Sequence, residues 1–337
     1  MTSAELVAIV LWVAAMLYAV FGGADFGAGV WDLLAGGARS GARPRALIDR
    51  ALTPVWEANH VWLIFLLVIM WTAFPTAFAA ITTTLFVPLT LAALGIVLRG
   101  SGFAFRKVVE GLGGRRAFGA IFASSSLITP FFLGAAVGAI VSGDVHVGGP
   151  VAGASTWLSL ISVTIGVLFV ATSSHVASVF LVAEARRAGD GELERYFRRR
   201  AIASGAISGL LALAGLLVVH RDARLLYEGL TSGAGLALVI ISSACGLATL
   251  ALLVAGRPAP RVIAVGAVAA IVWGWGAAQA PYLLPATLKI NAAAAPGPTL
   301  TALFVVFGAA LLIVVPALVL LLALSQRGLL GEGGEGG

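Results

Sequence analysis

Long apolar runs alternate with short segments in which nearly all of the charge is gathered. An α-helix rises 1.5 Å per residue, so about 20 apolar residues cross the roughly 30 Å hydrocarbon core of a bilayer. Runs of that length extend from Leu6 to Leu34, Leu47 to Phe74, Thr76 to Leu98, Phe118 to Val141, Ser155 to Ala183, Ala201 to Val219, Ala234 to Ala255, Val262 to Leu284 and Leu300 to Leu324. The pattern predicts an all-α, polytopic membrane protein of about nine transmembrane helices packed as bundles. It forms one transmembrane domain over residues 1–326, followed by a short polar tail at 327–337. Pro75 separates the second run from the third without a polar loop, so a tight reversal is expected at Phe74-Pro75-Thr76. The first run follows only Met1 to Glu5, with no basic stretch and no cleavage site, and is expected to be retained as a helix. Glu184 to Arg200 mixes acids and bases and reads as a solvated helix extension.

Composition removes the soluble classes. Of 337 residues 60% are hydrophobic and 11% are charged, against roughly 25% charged in soluble domains. Mean hydropathy is +1.04. The net charge of +6 does not form the single basic face that nucleic acid requires. Its cations lie between the runs and read as topology: Arg39, Arg43 and Arg45; Arg99, Arg106, Lys107, Arg115 and Arg116; Arg186 to Arg200; Arg257 and Arg261; and Arg327. These segments share one side if the amino terminus is outside and the carboxyl terminus inside, which leaves Arg221, Arg224 and Lys289 outside and Arg50 just within the second helix. The chain is thus expected in a bacterial inner membrane. Cys245 is the single cysteine, so no disulfide or cysteine metal cluster forms within the chain.

Three acids interrupt the first two runs: Asp25, Asp32 and Glu57. A carboxyl group in hydrocarbon costs several kcal/mol unless it is protonated, paired or hydrated, so each is a functional candidate. About a hairpin centred on Gly41, Asp25 and Glu57 fall at one depth, as do Asp32 and Arg50, which predicts an ion pair at the inner mouth. Seven residues is almost two helical turns, so Asp25 and Asp32 share a face, as do Arg50 and Glu57. Two carboxyls at one depth in a low-dielectric site share protons, because burial and mutual repulsion disfavour charging both. The stripe therefore reads as a proton relay; the competing reading makes the acids hydrogen-bonded polar glue between helices. In Trp56-Glu57-Ala58-Asn59-His60-Val61-Trp62, His60 lies on nearly the same face as Glu57 and is a candidate acid-base partner.

These residues carry a resemblance. Gly23-Ala24-Asp25-Phe26-Gly27-Ala28-Gly29 resembles the first-helix signature of subunit II of cytochrome bd-type quinol oxidases, and Trp56 to Ile64 resembles that family's second-helix motif. Ala73-Phe74-Pro75, Arg99 with Phe103 to Lys107, and Trp275 through Pro281-Tyr282-Leu283 follow in the family's order. Gly22 stands where the family has its first acid, Glu57 replaces an aspartate, and His60 replaces a glutamate or glutamine. The resemblance implies a subunit with no bound cofactor, beside a subunit I that carries haems b and d, oxidises quinol and reduces oxygen, with a small accessory subunit and membrane lipids as further partners. It implies a proton route through Asp25, Glu57, Asn59 and His60, and an oxygen route near Trp62.

Two alternatives use the same residues. A bis-histidine haem cytochrome would use His60 and His175, and a proton-coupled transporter would use the intramembrane acids. A phosphate-cradling loop, a close His and Cys ligand cluster and a Ser-His-acid set have no counterpart in the sequence.

Overall fold

Proline and glycine divide the apolar runs into helices. The computed structural model describes residues 1–37, 39–109, 111–258 and 260–326, with backbone alone at 52–58, 107, 112, 115, 318, 322, 325 and 326. The order is α1 (Ser3–Leu33), α2 (Ala42–Ala73), α3 (Pro75–Thr84), α4 (Phe86–Val108), α5 (Leu112–Val141), α6 (Ala154–Trp157), α7 (Leu160–Arg187), α8 (Gly191–Asp222), α9 (Arg224–Leu230), α10 (Gly233–Val254) and α11 (Pro260–Gln279). It ends with the antiparallel pair β1 (Tyr282–Leu284) and β2 (Leu288–Lys289), then α12 (Ile290–Ala293) and α13 (Gly297–Gln326). Among the described residues eight helices are long and apolar enough to cross a membrane, or up to nine if Asn59–Ala73 and Pro75–Thr84, bent by 116°, form one span. The polar tail expected at 327–337 lies outside the described residues.

The third run departs most from its expected course. Phe74 leaves helical geometry at φ −132° and ψ 57°, and Pro75 takes the first position of α3, where its missing N–H is no loss. A second break at Leu85 ends α3 after 10 residues and starts α4. The membrane-crossing stretch is therefore Phe86–Arg106 rather than 76–98, which carries Arg99 and Arg106 out of the expected loop and into the span. At the other end of the chain Pro281 stops α11 at Gln279, and the expected helical residues to Leu284 form β1 instead. Thr2 and Glu5 close a capping box at the start of α1, and Asp190 caps α8 by accepting from the amides of Glu192 and Leu193.

Among the described residues four apolar clusters hold the bundle, two of them at the ends of α1. One joins α1 to Ile69, Phe74, Leu85, Leu284 and Phe307 at the amino-terminal end of α1; the other gathers Trp31, Ile48, Phe122, Leu181 and Phe197 at its carboxyl-terminal end. Small residues let helices touch between them. A methyl on Gly27 would fall 1.9 Å from the Ser173 carbonyl oxygen, and one on Gly134 would fall 2.8 Å from Gly166 Cα. Close backbone approach replaces a hydrophobic drive that lipid does not supply.

Candidate functional site

Asp25 and Asp32 on α1, and Arg99 and Arg106 on α4, have the same seven-residue spacing, and the structure joins them rung by rung. Asp25 is 1% exposed and Arg99 2%, and they form an ion pair at the centre of the bundle. Arg99 Nε donates to Asp25 Oδ2 at 3.3 Å, and its Nη2 donates to the Asp25 carbonyl at 2.8 Å. Arg99 Nη1 donates to Ser126 Oγ on α5 at 2.6 Å. Gly29 makes room for this contact, since a methyl there would lie 2.0 Å from Ser126 Oγ.

The second rung lies two turns towards the end of the bundle that carries the α1–α2 turn. Arg106 Nη1 donates to Asp32 Oδ2 at 3.1 Å and also pairs with Asp49, while Arg45 Nε stands 3.6 Å from Asp32 Oδ1. Phe122 separates the rungs: the Arg99 guanidinium lies 4.5 Å from its ring centroid and that of Arg106 4.7 Å. Cation–π contact in a desolvated site adds on the order of 2 kcal/mol and holds each fork in plane. Arg106 retains 12% side-chain exposure and Asp49 37%, so this end of the seam opens towards the surface.

The inner rung continues into α2. Asn59 Nδ2 donates to Asp25 Oδ2 at 3.4 Å, and Asn59 is 1% exposed. Asn59 is two residues from Glu57, roughly 3 Å of helical rise. The Glu57 side chain lies outside the described residues. His60 is half-buried. Asn59 Oδ1 and the Tyr18 hydroxyl are buried without a hydrogen-bond partner among the described residues. Gly22 brings them close: a methyl there would lie 3.0 Å from Asn59 Oδ1 and 3.3 Å from Tyr18 Cε2. Trp62, 8% exposed, packs edge-on against Phe65 at 6.3 Å in an apolar setting that also holds Phe307.

One expected contact is corrected. Asp32 pairs with Arg106 and Arg45 and not with Arg50, which is exposed and makes no ion pair among the described residues. Arg99 and Arg106, assigned to topology from sequence, are the acids' true partners; their spacing, equal to that of Asp25 and Asp32, was the available signal. His175 is held elsewhere. Its Nδ1 lies 3.0 Å from the Ala201 carbonyl, and its ring packs against Gly205 at the α7–α8 contact. Among the described residues no three or more His, Cys, Asp and Glu side chains gather at metal-binding distance.

Residues 3–324 match the model of the family described as cytochrome bd terminal oxidase subunit II. A chain of Bacillus subtilis (strain 168) assigned as subunit II of a cytochrome bd menaquinol oxidase is 23% identical over 332 residues, covering 94% of this chain and 93% of that protein. Cytochrome bd ubiquinol oxidase subunit 2 of the same organism is 32% identical over 112 residues, 33% of this chain and 32% of that protein. A chain in the structure of bd oxidase from Geobacillus thermodenitrificans superposes with a TM-score of 0.76 at 26% identity, covering 96% of this chain and 98% of that one.

Proposed function

The chain belongs to the cytochrome bd terminal oxidase subunit II family, and from that premise we propose that it serves its quinol oxidase by bracing the haem-bearing subunit I and by conducting protons to it. The chain itself binds no haem in this reading; haems b and d reside in subunit I and carry the redox chemistry. Reduction of oxygen to water consumes protons. A polar route inward from the arginine-rich end supplies them, that end facing the cytoplasm with both termini oriented as the positive charges predict. The observation that carries the reading is the alignment of two charged rungs on either side of Phe122, the part-exposed one of Asp49, Arg106 and Asp32 and the buried one of Asp25, Arg99, Ser126 and Asn59.

Within the seam Asp25 and Glu57 form the relay, with Asn59, two residues beyond Glu57 and hydrogen-bonded to Asp25, and His60 as an auxiliary acid-base group. Arg99 gives Asp25 a fixed counter-charge, so a proton arriving at Asp25 must loosen one fork contact before it is handed on. Trp62, in its apolar corner beside Phe65, lines an oxygen route. In the purified two-subunit oxidase, Glu57→Gln slows quinol-driven oxygen consumption and proton uptake together at unchanged haem content. Unchanged rates in that variant and in an assembled Asp25→Asn variant remove the relay.

A further inference from the structure

Outside the seam, the strongest unassigned feature is the start of α8. Arg195, Arg198, Arg199 and Arg200 crowd one turn and a half, just before an apolar run that begins at Ala201. A groove of about 320 Å³ opens here between Glu192, Arg195, Tyr196, Arg199 and Arg200. Its acid, Glu192, is already matched by Arg43. Arg195 and Arg199 are exposed and make no ion pair among the described residues. Arg200 folds back over Tyr196, with its guanidinium carbon 3.4 Å from the ring centroid and Nη1 donating to the Tyr196 carbonyl. This shallow recess along one face of α8 therefore holds an excess of positive charge beside Tyr196, whose ring Arg200 covers.

The face beneath it is apolar and uncovered. Ile207 is 53% exposed, Leu210 68%, Leu213 66% and Leu217 73%. Steps of three and four residues put Arg199, Ala203, Ile207 and Leu210 in one row along the helix. Arg199 to Leu210 rises roughly 16 Å, about half of the ~30 Å hydrocarbon core, which is the depth of one leaflet. A cationic groove continuous with an apolar row one leaflet deep is complementary to a molecule with phosphate at one end and an acyl chain at the other.

We propose that α8 binds one anionic phospholipid, its phosphate held by Arg195 and Arg199 and its acyl chain laid over Ile207 and Leu210. Guanidinium forks match phosphate oxygens two at a time, and a basic pocket at a membrane boundary selects anionic headgroups over zwitterionic ones. The lipid fills the furrow between the basic turn and the hydrocarbon and fixes α8 at its working depth.

Native mass spectrometry of the delipidated two-subunit oxidase, titrated with phosphatidylglycerol or phosphatidylcholine, tests this. The expected result is one retained phosphatidylglycerol that phosphatidylcholine does not displace. The Arg195→Gln/Arg199→Gln variant should bind it about thirtyfold more weakly, at roughly 1 kcal/mol for each basic residue, with haem content and oxygen consumption unchanged. Should that variant fail to assemble, Arg199→Lys keeps the charge without the fork and is expected to weaken phosphatidylglycerol alone. Equal retention of the two lipids, displacement by inorganic phosphate alone, or unaltered binding in the substituted proteins overturns the proposal.

Discussion

Asp25 and Arg99 depend on one another. Each is a charge that hydrocarbon would not otherwise admit, and removing one partner of a buried pair typically costs about 3–5 kcal/mol because the other is left uncompensated. Asp25→Asn should therefore lower the thermal stability of the assembled complex, and Arg99→Met should do so at least as much, as Ser126 also loses its donor. Scanning fluorimetry of the purified oxidase measures this, and a melting temperature equal to that of the unaltered protein in both variants would contradict the pairing. Asp25 and Asp32 stood out in the sequence because acids are rare in apolar runs. Their cations did not, since Arg99 and Arg106 follow the predicted end of a helix and read as loop charges. The departure at Gly22 also has a structural counterpart: Asn59 and Tyr18 crowd that position, leaving tight space for any side chain.

At the scale of elements, the parallel acid and arginine rows make α1 and α4 a ladder, and α5, packed on both, contributes Ser126 and Phe122 to its rungs. Register is thus set by charge as well as by packing, because sliding one helix along the other by a turn unpairs both rungs. Periodicity revealed the helices but not this register. The apolar run after Pro75 was continuous enough to hide the break at Leu85, although Pro88, in the first turn of α4, cannot donate to the Thr84 carbonyl and so marks the end of α3. At the surface, the turn between α7 and α8 is clamped to the start of α2 by Arg43, which pairs with Asp190 and Glu192. The Leu193 amide, and then the Arg43 guanidinium, hold the Asp190 carboxyl below the usual carboxylate range. A depressed folded value means that this clamp is fully present above the unfolded carboxylate value and is lost only as pH falls through the lower folded one. Protease nicking near Gly189 should accordingly stay constant from neutral pH down to the ordinary carboxylate range, whereas Asp190→Ala should increase it at neutral pH. Nicking that rises already between pH 7 and 5 in the unaltered protein would contradict the assignment.

Over the whole molecule, the bundle is tight at its centre and apolar on its outside, with exposed Leu, Val and Ile along α8, α10 and α13 facing lipid or partner. The sequence made this architecture legible, because composition alone places the chain in a bilayer. The seam was half legible: its acids announced themselves, but partners contributed by a different helix depend on packing that no local pattern encodes. The central claim is that this seam, beyond holding helices together, delivers protons. Replacing both members of the inner pair by apolar residues of similar size, Asp25→Leu with Arg99→Met, separates the two roles, since a well-packed apolar pair often restores stability that a single substitution removes. Quinol-driven oxygen consumption with simultaneous proton uptake, recorded on that double variant once it is assembled with full haem content, is the most direct test: the account predicts a stable but slow oxidase, and turnover at the unaltered rate would contradict it.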